Sequence, residues 1–220
     1  LVGSKTAFGI DNIKITTDTL KEDLHTGLVN TKVTSNIINN NTSTSVNMKY
    51  TVKFKGEVIH TLNSVVTLSQ GNNNIVDTIQ IPNPKLWDEY QGNLYYMIIE
   101  IISNEEVIYS TTIRYGYRYF EFTHDRGFFL NGRNIKLKGV CMHHDLGCIG
   151  ASVNKSAIQR QVRILKDMGC NAIRLTHNPS SSIYLNVCAV LKLERTYTLP
   201  FLGIPFFPMI LQLARRNRIY

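Results

Sequence analysis

Apolar and polar residues alternate along the first half of the chain, and this pattern predicts β-strands. The clearest run extends from Val46 to Lys55, where every second residue from Val46 to Phe54 is apolar. A period of two places one face of a strand against a core. Similar runs, separated by turns that contain Gly or Asn, cover residues 24–38, 65–68, 75–81, 94–102 and 107–115. About seven short strands within residues 1–117, without helical periodicity, are typical of an immunoglobulin-like β-sandwich.

Residues 118–188 carry a different pattern, in which strand and helix periods follow one another. Asn131-Gly132 lies between two apolar runs and predicts a two-residue hairpin turn. Short strands at 137–140 and 171–175 flank a helix predicted for 155–168, which Asn154 can cap. This order of strand, loop, helix and strand opens a parallel α/β architecture. The chain is therefore predicted to be mostly β, with the sandwich followed by a truncated (β/α) barrel start.

Residues 189–220 match neither period. They hold Pro200, Pro205 and Pro208 in an apolar run and end in a basic cluster. We expect a divergent tail after Cys188 that has low local order and packs unlike a barrel segment. A frameshift or a truncated gene model would produce such a change. The alternatives are a genuine variant with a membrane-associating tail and a domain-boundary artefact, although proline breaks the apolar run too often for a membrane span.

Composition and charge narrow the classes of function. Hydrophobic residues make up 43% of the 220 residues and charged residues 18%, which excludes a disordered chain. The formal charge of +8 favours nucleic acid, but half of the excess lies within 189–220, so neither a nucleic-acid nor a membrane partner is predicted. None of the four cysteines belongs to a C-x-x-C pair, so no disulfide framework is predicted and the compartment stays open.

The candidate chemistry lies where the two predicted parallel strands end. His143 follows the strand at 137–140, His177 follows the strand at 171–175, and Arg174 lies near the end of the second strand. The carboxyl ends of parallel strands meet at one edge of a sheet, so we expect these side chains to gather there. Histidine and arginine supply directional donors for hydroxyl-rich or anionic ligands. The alternative is that these are loop residues that bond only to the backbone.

A second interpretation of the loop after the first of these strands is a metal site. Cys141, His143, His144 and Cys148 are all residue types that bind zinc. Their spacing matches no common structural zinc pattern, so no metal is predicted. Paired catalytic carboxylates, a nucleophile with its base and a phosphate-binding loop are also missing from the sequence.

Four motifs together resemble glycoside hydrolase family 2, the group of β-galactosidases and β-glucuronidases. The most specific are GFFLNGRNIKLKGVCMHHD at 127–145 and LKDMGCNAIRLTHNP at 165–179. They are similar to the family's entry into its barrel and to the signature that follows its first barrel helix. Two shorter marks, NPKLW at 83–87 and GYRYF at 116–120, are similar to sequences near the end of the family's sandwich domain.

The resemblance implies a retaining β-glycosidase that uses two glutamates, one as acid/base and one as nucleophile. In the family, the residues that match His143 and His177 contact the sugar. The residue that matches Arg174 lies beside the nucleophile and can hold its carboxylate ionised. Asn171 belongs to the same motif and is expected to be structural. The implied substrate is a β-galactoside or β-glucuronide, and no cofactor is expected.

The chain departs from the family pattern at both ends. It starts after the jelly-roll sugar-binding domain with which the family begins, and the motifs of both catalytic glutamates have no match. No catalytic residue is therefore assigned, and the chain alone is expected to be inactive. Two other functions stay open, namely a non-catalytic carbohydrate-binding or interaction module and a nonfunctional truncated product.

Overall fold

A computed structural model of the chain describes residues 8–143, 145–176, 181–192 and 194–197. These residues form two compact units. The first contains residues 8–85 and 94–117, and the second contains residues 86–93 together with the described residues from 118 onward. Each unit has its own core and is described separately.

The first unit is an antiparallel sandwich of seven strands, which confirms the predicted immunoglobulin-like fold. One sheet has the order β1-β2-β5 and the other the order β4-β3-β6-β7. The strands are β1 (Phe8–Thr16), β2 (Leu28–Asn39), β3 (Thr44–Phe54), β4 (Glu57–Leu68), β5 (Gly71–Pro82), β6 (Tyr95–Ser103) and β7 (Glu106–Tyr115).

The core of the sandwich follows the period of two that the sequence shows. Every second residue of β2 from Val29 to Asn39 is buried, and Met48, Tyr50 and Val52 of β3 are fully buried. Alternate burial along each strand is what two sheets packed face to face require. The alternation of apolar and polar residues therefore predicts most strands of the sandwich.

A chain of hydroxyl groups crosses this core. The Tyr115 and Tyr117 hydroxyl oxygens lie 3.2 Å apart, and the Tyr117 hydroxyl lies 2.8 Å from Thr31 Oγ1. Burial raises the pKa of Tyr117 to about 12 and raises the pKa of Tyr115 further. Both phenols stay protonated at neutral pH and keep the hydrogen-bond partners that their burial demands.

The start of the sandwich differs from the prediction. Residues 20–26 form a helix, α1 (Leu20–Thr26), where the sequence predicted a strand from residue 24, and strand β1 was not predicted. Gly27 ends the helix in the left-handed conformation, with φ of 73°, and β2 begins at the next residue. A helix of two turns is too short to show a clear apolar period, and Leu20 is the one buried residue of α1.

We expect the sandwich to fold on its own, because its seven strands and its buried core residues all lie before residue 118. A chain cut after Arg118 should give a β-type circular dichroism spectrum and a single sigmoidal urea transition. The full chain, followed in the same way, provides the control. A broad transition without a baseline for the native state would contradict this prediction.

The second unit begins with a small antiparallel sheet of order β10-β9-β8. Its strands are β8 (Phe120–Thr123), β9 (Gly127–Leu130) and β10 (Arg133–Asn134). Asn131 and Gly132 connect β9 to β10 with φ angles of 51° and 79°. Two positive φ angles in a two-residue loop are the hairpin geometry that Asn-Gly predicts.

A parallel sheet of order β11-β12-β13 follows, with a helix after each of its first two strands. The elements are β11 (Gly139–Met142), α2 (Lys155–Asp167), β12 (Ala172–Leu175), α3 (Ser182–Val190) and β13 (Glu194–Tyr197). The Asn154 side chain accepts a hydrogen bond of 2.9 Å from the Ala157 N–H and caps α2, as predicted. Within the described part of the chain, no helix is long and apolar enough to cross a membrane.

The expectation of low local order after Cys188 is wrong for residues 189–192 and 194–197. Helix α3 continues past Cys188 to Val190, and β13 pairs in parallel with β12, with Ala172 opposite Glu194. The local pattern after Cys188 is weak, but a helix followed by a parallel strand is the next barrel step, and the neighbouring strand edge supplies its hydrogen bonds. Residues 198–220 lie outside the described residues, so the frameshift hypothesis and the domain limits at 117 and 188 stay predictions.

Candidate functional site

The register between β11 and β12 sets the position of the predicted site residues. Cys141 pairs with Arg174 and Met142 pairs with Leu175, and His143 directly follows β11. His143 and Arg174 therefore belong to the carboxyl ends of two adjacent parallel strands. This is the edge of a barrel sheet at which binding residues gather.

Thr176 ties the two strand ends together. Its N–H donates to the Met142 carbonyl oxygen at 3.0 Å, and its hydroxyl also donates to that oxygen at 3.3 Å. The same hydroxyl oxygen lies 3.3 Å from His143 Nε2 and 3.4 Å from Nδ1, so it rests against the imidazole. Thr176 is buried, whereas His143 is exposed to solvent.

Arg174 lies on the face of the sheet opposite to the helices. Its neighbours Ile173 and Leu175 are buried in the cluster that β12 forms with α2 and α3, and alternate residues of a strand face opposite sides. Arg174 Nη1 lies 3.8 Å from Cys141 Sγ on the adjacent strand. A guanidinium in this position can donate to a carboxylate or to sugar hydroxyls in parallel, fixed directions.

The other residues of the predicted site lie outside this description or are structural. His177 and His144 lie outside the described residues. Among the described residues, no three His, Cys, Asp or Glu side chains converge on a point that could hold a metal ion. Asn171 Oδ1 accepts from the Lys138 N–H at 2.7 Å and Nδ2 donates to the Lys136 carbonyl at 3.1 Å, so Asn171 fixes the chain that enters β11.

Comparison with known proteins decides which family this arrangement belongs to. The model of glycosyl hydrolases family 2 matches residues 8–118, and the model of the family's TIM barrel domain matches residues 122–193. The chain belongs to glycosyl hydrolase family 2. The barrel match extends beyond Cys188, in agreement with the parallel pairing of β13.

Relatives within family 2 include enzymes named for two sugars. The chain is 46% identical over 110 residues to a β-galactosidase of Bacteroides ovatus, covering 50% of this chain and 13% of that protein. It is 31% identical over 140 residues to a β-glucuronidase of Bacteroides fragilis, covering 63% of this chain and 20% of that protein. A solved family 2 structure from Bacteroides cellulosilyticus superposes with a TM-score of 0.81 and 27% identity, covering 88% of this chain and 27% of that one. The chain thus spans about a fifth or less of these two curated relatives.

The second unit also contains a segment whose role the sequence did not reveal. Residues 86–93, which we call the strap, lie between β5 and β6 in sequence but belong to the second unit. Trp87 is buried, and its indole Nε1–H donates to the Ala189 carbonyl at 2.9 Å. The Asn131 side-chain amide donates to the Trp87 carbonyl at 3.0 Å. The strap therefore joins the hairpin to the end of α3.

Charged groups hold the other half of the strap. Arg133 Nη2 lies 2.7 Å from Glu89 Oε1, and Lys166 Nζ donates to the Glu89 carbonyl at 3.2 Å and to the Lys192 carbonyl at 3.1 Å. Burial, with a smaller contribution from the Lys192 charge, lowers the pKa of Lys166. The NPKLW mark pointed to this segment, but only the three-dimensional contacts show what its Trp87 touches.

Proposed function

We propose that this chain provides the first strands of the barrel, with their sugar-binding residues, in a retaining β-glycosidase that acts on β-galactosides or β-glucuronides. The observation that carries the proposal is the parallel register of β11 and β12, which brings His143 and Arg174 to neighbouring strand ends. Family membership and the names of the relatives, β-galactosidase and β-glucuronidase, support it. His177, two residues beyond β12 in sequence, is proposed to contribute to the same site.

The proposed roles follow from the chemistry of each side chain. The exposed His143 imidazole donates or accepts one hydrogen bond with a sugar hydroxyl through either ring nitrogen. The Arg174 guanidinium is permanently charged, so it stabilises the ionised form of a carboxylate held beside it. Retaining hydrolysis needs one carboxylate to attack the anomeric carbon and one acid to protonate the leaving oxygen. No acidic residue of this chain matches either glutamate, so this chain is proposed to bind sugar without cleaving it.

The test combines binding and turnover with the full chain. Saturation-transfer NMR with methyl β-galactoside and methyl β-glucuronide should show weak binding of at least one of them. His143→Gln and Arg174→Met should each weaken that binding by about threefold to tenfold, the effect of one lost hydrogen bond. Neither p-nitrophenyl β-galactoside nor p-nitrophenyl β-glucuronide should be hydrolysed faster than in buffer alone.

Arg163→Met is the matched control, because Arg163 is exposed on α2 and should leave binding unchanged. Binding that survives both His143→Gln and Arg174→Met would contradict the assigned site. Turnover that disappears in His143→Gln would contradict the proposal that the chain lacks a catalytic carboxylate.

A further inference from the structure

Strand β4 forms one edge of the four-stranded sheet and, among the described residues, it pairs with β3 alone. Its register with β3 runs without interruption from His60 to Leu68. An edge strand presents a row of backbone N–H and C=O groups to which no neighbouring strand bonds. Nine residues at ~3.4 Å each make this row about 31 Å long. Strand β4 is therefore a long template to which a further strand could add.

The edges of the sandwich differ in charge, and β4 is the least protected of them. Charged side chains are a common device that keeps an edge strand from pairing with another chain. The other three edge strands carry them within the strand, namely Lys14 in β1, Asp77 in β5 and Arg114 in β7. After Glu57, its first residue, β4 has no charged residue and no proline. Neither of these two common barriers to edge pairing occurs along this run.

The side chains of β4 are also incompletely covered. Val65 is 77% exposed on the outer face of the sheet. Leu62 and Val66 face the core but are only half-buried, whereas Tyr50 and Val46, which lie opposite them on β3, are buried. A strand placed beside β4 would remove apolar surface from water on both faces of the sheet.

We propose that β4 is an interface between two copies of this chain, in which β4 of one copy pairs antiparallel with β4 of the other. The register that uses the whole run from His60 to Leu68 places Ser64 on a two-fold axis. Leu62 then lies opposite Val66 of the partner subunit. Apolar pairs of this kind stabilise antiparallel strands.

The chemistry of the run favours a second copy as the occupant of this edge. Pairing about a two-fold axis brings each residue of the run against another residue of the same run, so an uncharged run meets no like charge. The contact also closes after two copies and leaves no β4 edge free for a third. A strip about 31 Å long and ~10 Å wide covers roughly 300 Å² on each copy, which is small for a dimer, so we expect weak association. This interface does not depend on the proposed glycosidase function.

The test is sedimentation equilibrium of the full chain, with reductant present because Cys141 and Cys148 are exposed. Over roughly 10 µM to 1 mM the chain should pass reversibly from monomer to dimer. The proposed register places Asn63 opposite Val65 of the partner subunit. The double variant Asn63→Lys, Val65→Lys therefore opposes like charges twice and should weaken the dimer by about tenfold.

The double variant Asn63→Lys, Val65→Glu is the matched control, because it opposes lysine to glutamate at the same two positions. It should dimerise at least as tightly as the unmodified chain. Both positions are exposed, so the melting temperatures of the two double variants at ~10 µM should be equal.

Hydrogen-exchange NMR of the unmodified chain locates the contact without any substitution. A rise in protein concentration should slow exchange at alternate amides of β4 and leave those of β7, the opposite edge of the sheet, unchanged. The proposal is overturned if the chain stays monomeric at ~1 mM, if it forms species larger than a dimer, or if the added protection lies outside β4. Equal dimer affinities for the two double variants would also overturn it.

Discussion

Gly139→Ala is expected to destabilise the second unit strongly while leaving the sandwich intact. Gly139 pairs with Ala172 in the parallel register, and a Cβ at position 139 would collide with the Ala172 backbone carbonyl. A glycine in a strand often marks such a close approach of another backbone. The two strands would have to separate at the start of their pairing, and overpacking against a rigid backbone costs about 3 kcal/mol.

Trp87 makes this result measurable, because it is the chain's single tryptophan and is buried in the second unit. Its fluorescence should shift to that of exposed indole at a lower urea concentration in Gly139→Ala. The transition of the sandwich, followed by far-ultraviolet circular dichroism, should keep its urea midpoint. Gly9→Ala is the control, because Gly9 also lies in a strand but a Cβ there meets nothing within 4 Å. Equal urea midpoints for the two variants would refute the close-approach argument.

Trp87→Ala is expected to have an effect of similar size by a different route. The substitution removes a buried ring, the hydrogen bond to Ala189 and the surface on which the Arg118 guanidinium stacks at 5.1 Å. Truncating a buried tryptophan costs about 3–5 kcal/mol. We expect the amides at the end of α3 to lose most of their protection in hydrogen-exchange NMR.

Trp87→Phe separates the two contributions of this side chain. It keeps most of the packing but removes the donor to Ala189, so its cost should be about 1–2 kcal/mol. Amides in β3 and β6, which belong to the sandwich core, serve as the internal reference. Loss of protection confined to the strap itself would show that the strap does not stabilise α3.

Local signals explain which elements could be predicted from the sequence. The Asn131-Gly132 turn, the Asn154 cap and the alternation along β3 depend on neighbouring residues alone, and the structure confirms all three. Strand β11 begins at Gly139, two residues later than predicted, because Asn171 binds the backbone at Lys136 and Lys138 from outside the strand. Such a contact across more than 30 residues leaves no mark in the local period.

At the candidate site, too, some residues could be predicted from local sequence and other contacts could not. His143 and Arg174 could be proposed because the ends of predicted parallel strands meet in any such sheet. The contact between the Thr176 hydroxyl and the His143 imidazole joins residues 33 positions apart and is visible only in three dimensions.

The strap has a consequence for the order of events during protein synthesis. Trp87 and the Ala189 carbonyl that it binds are 102 residues apart in the chain. A ribosome that adds ~5–20 residues per second needs roughly 5 to 20 s to make the intervening segment. Strands β6 and β7, by contrast, follow the strap directly and complete the sandwich by Tyr115. Until residue 189 has been made, the Trp87 indole lacks the carbonyl to which it donates, although all strands of the sandwich have by then been synthesised.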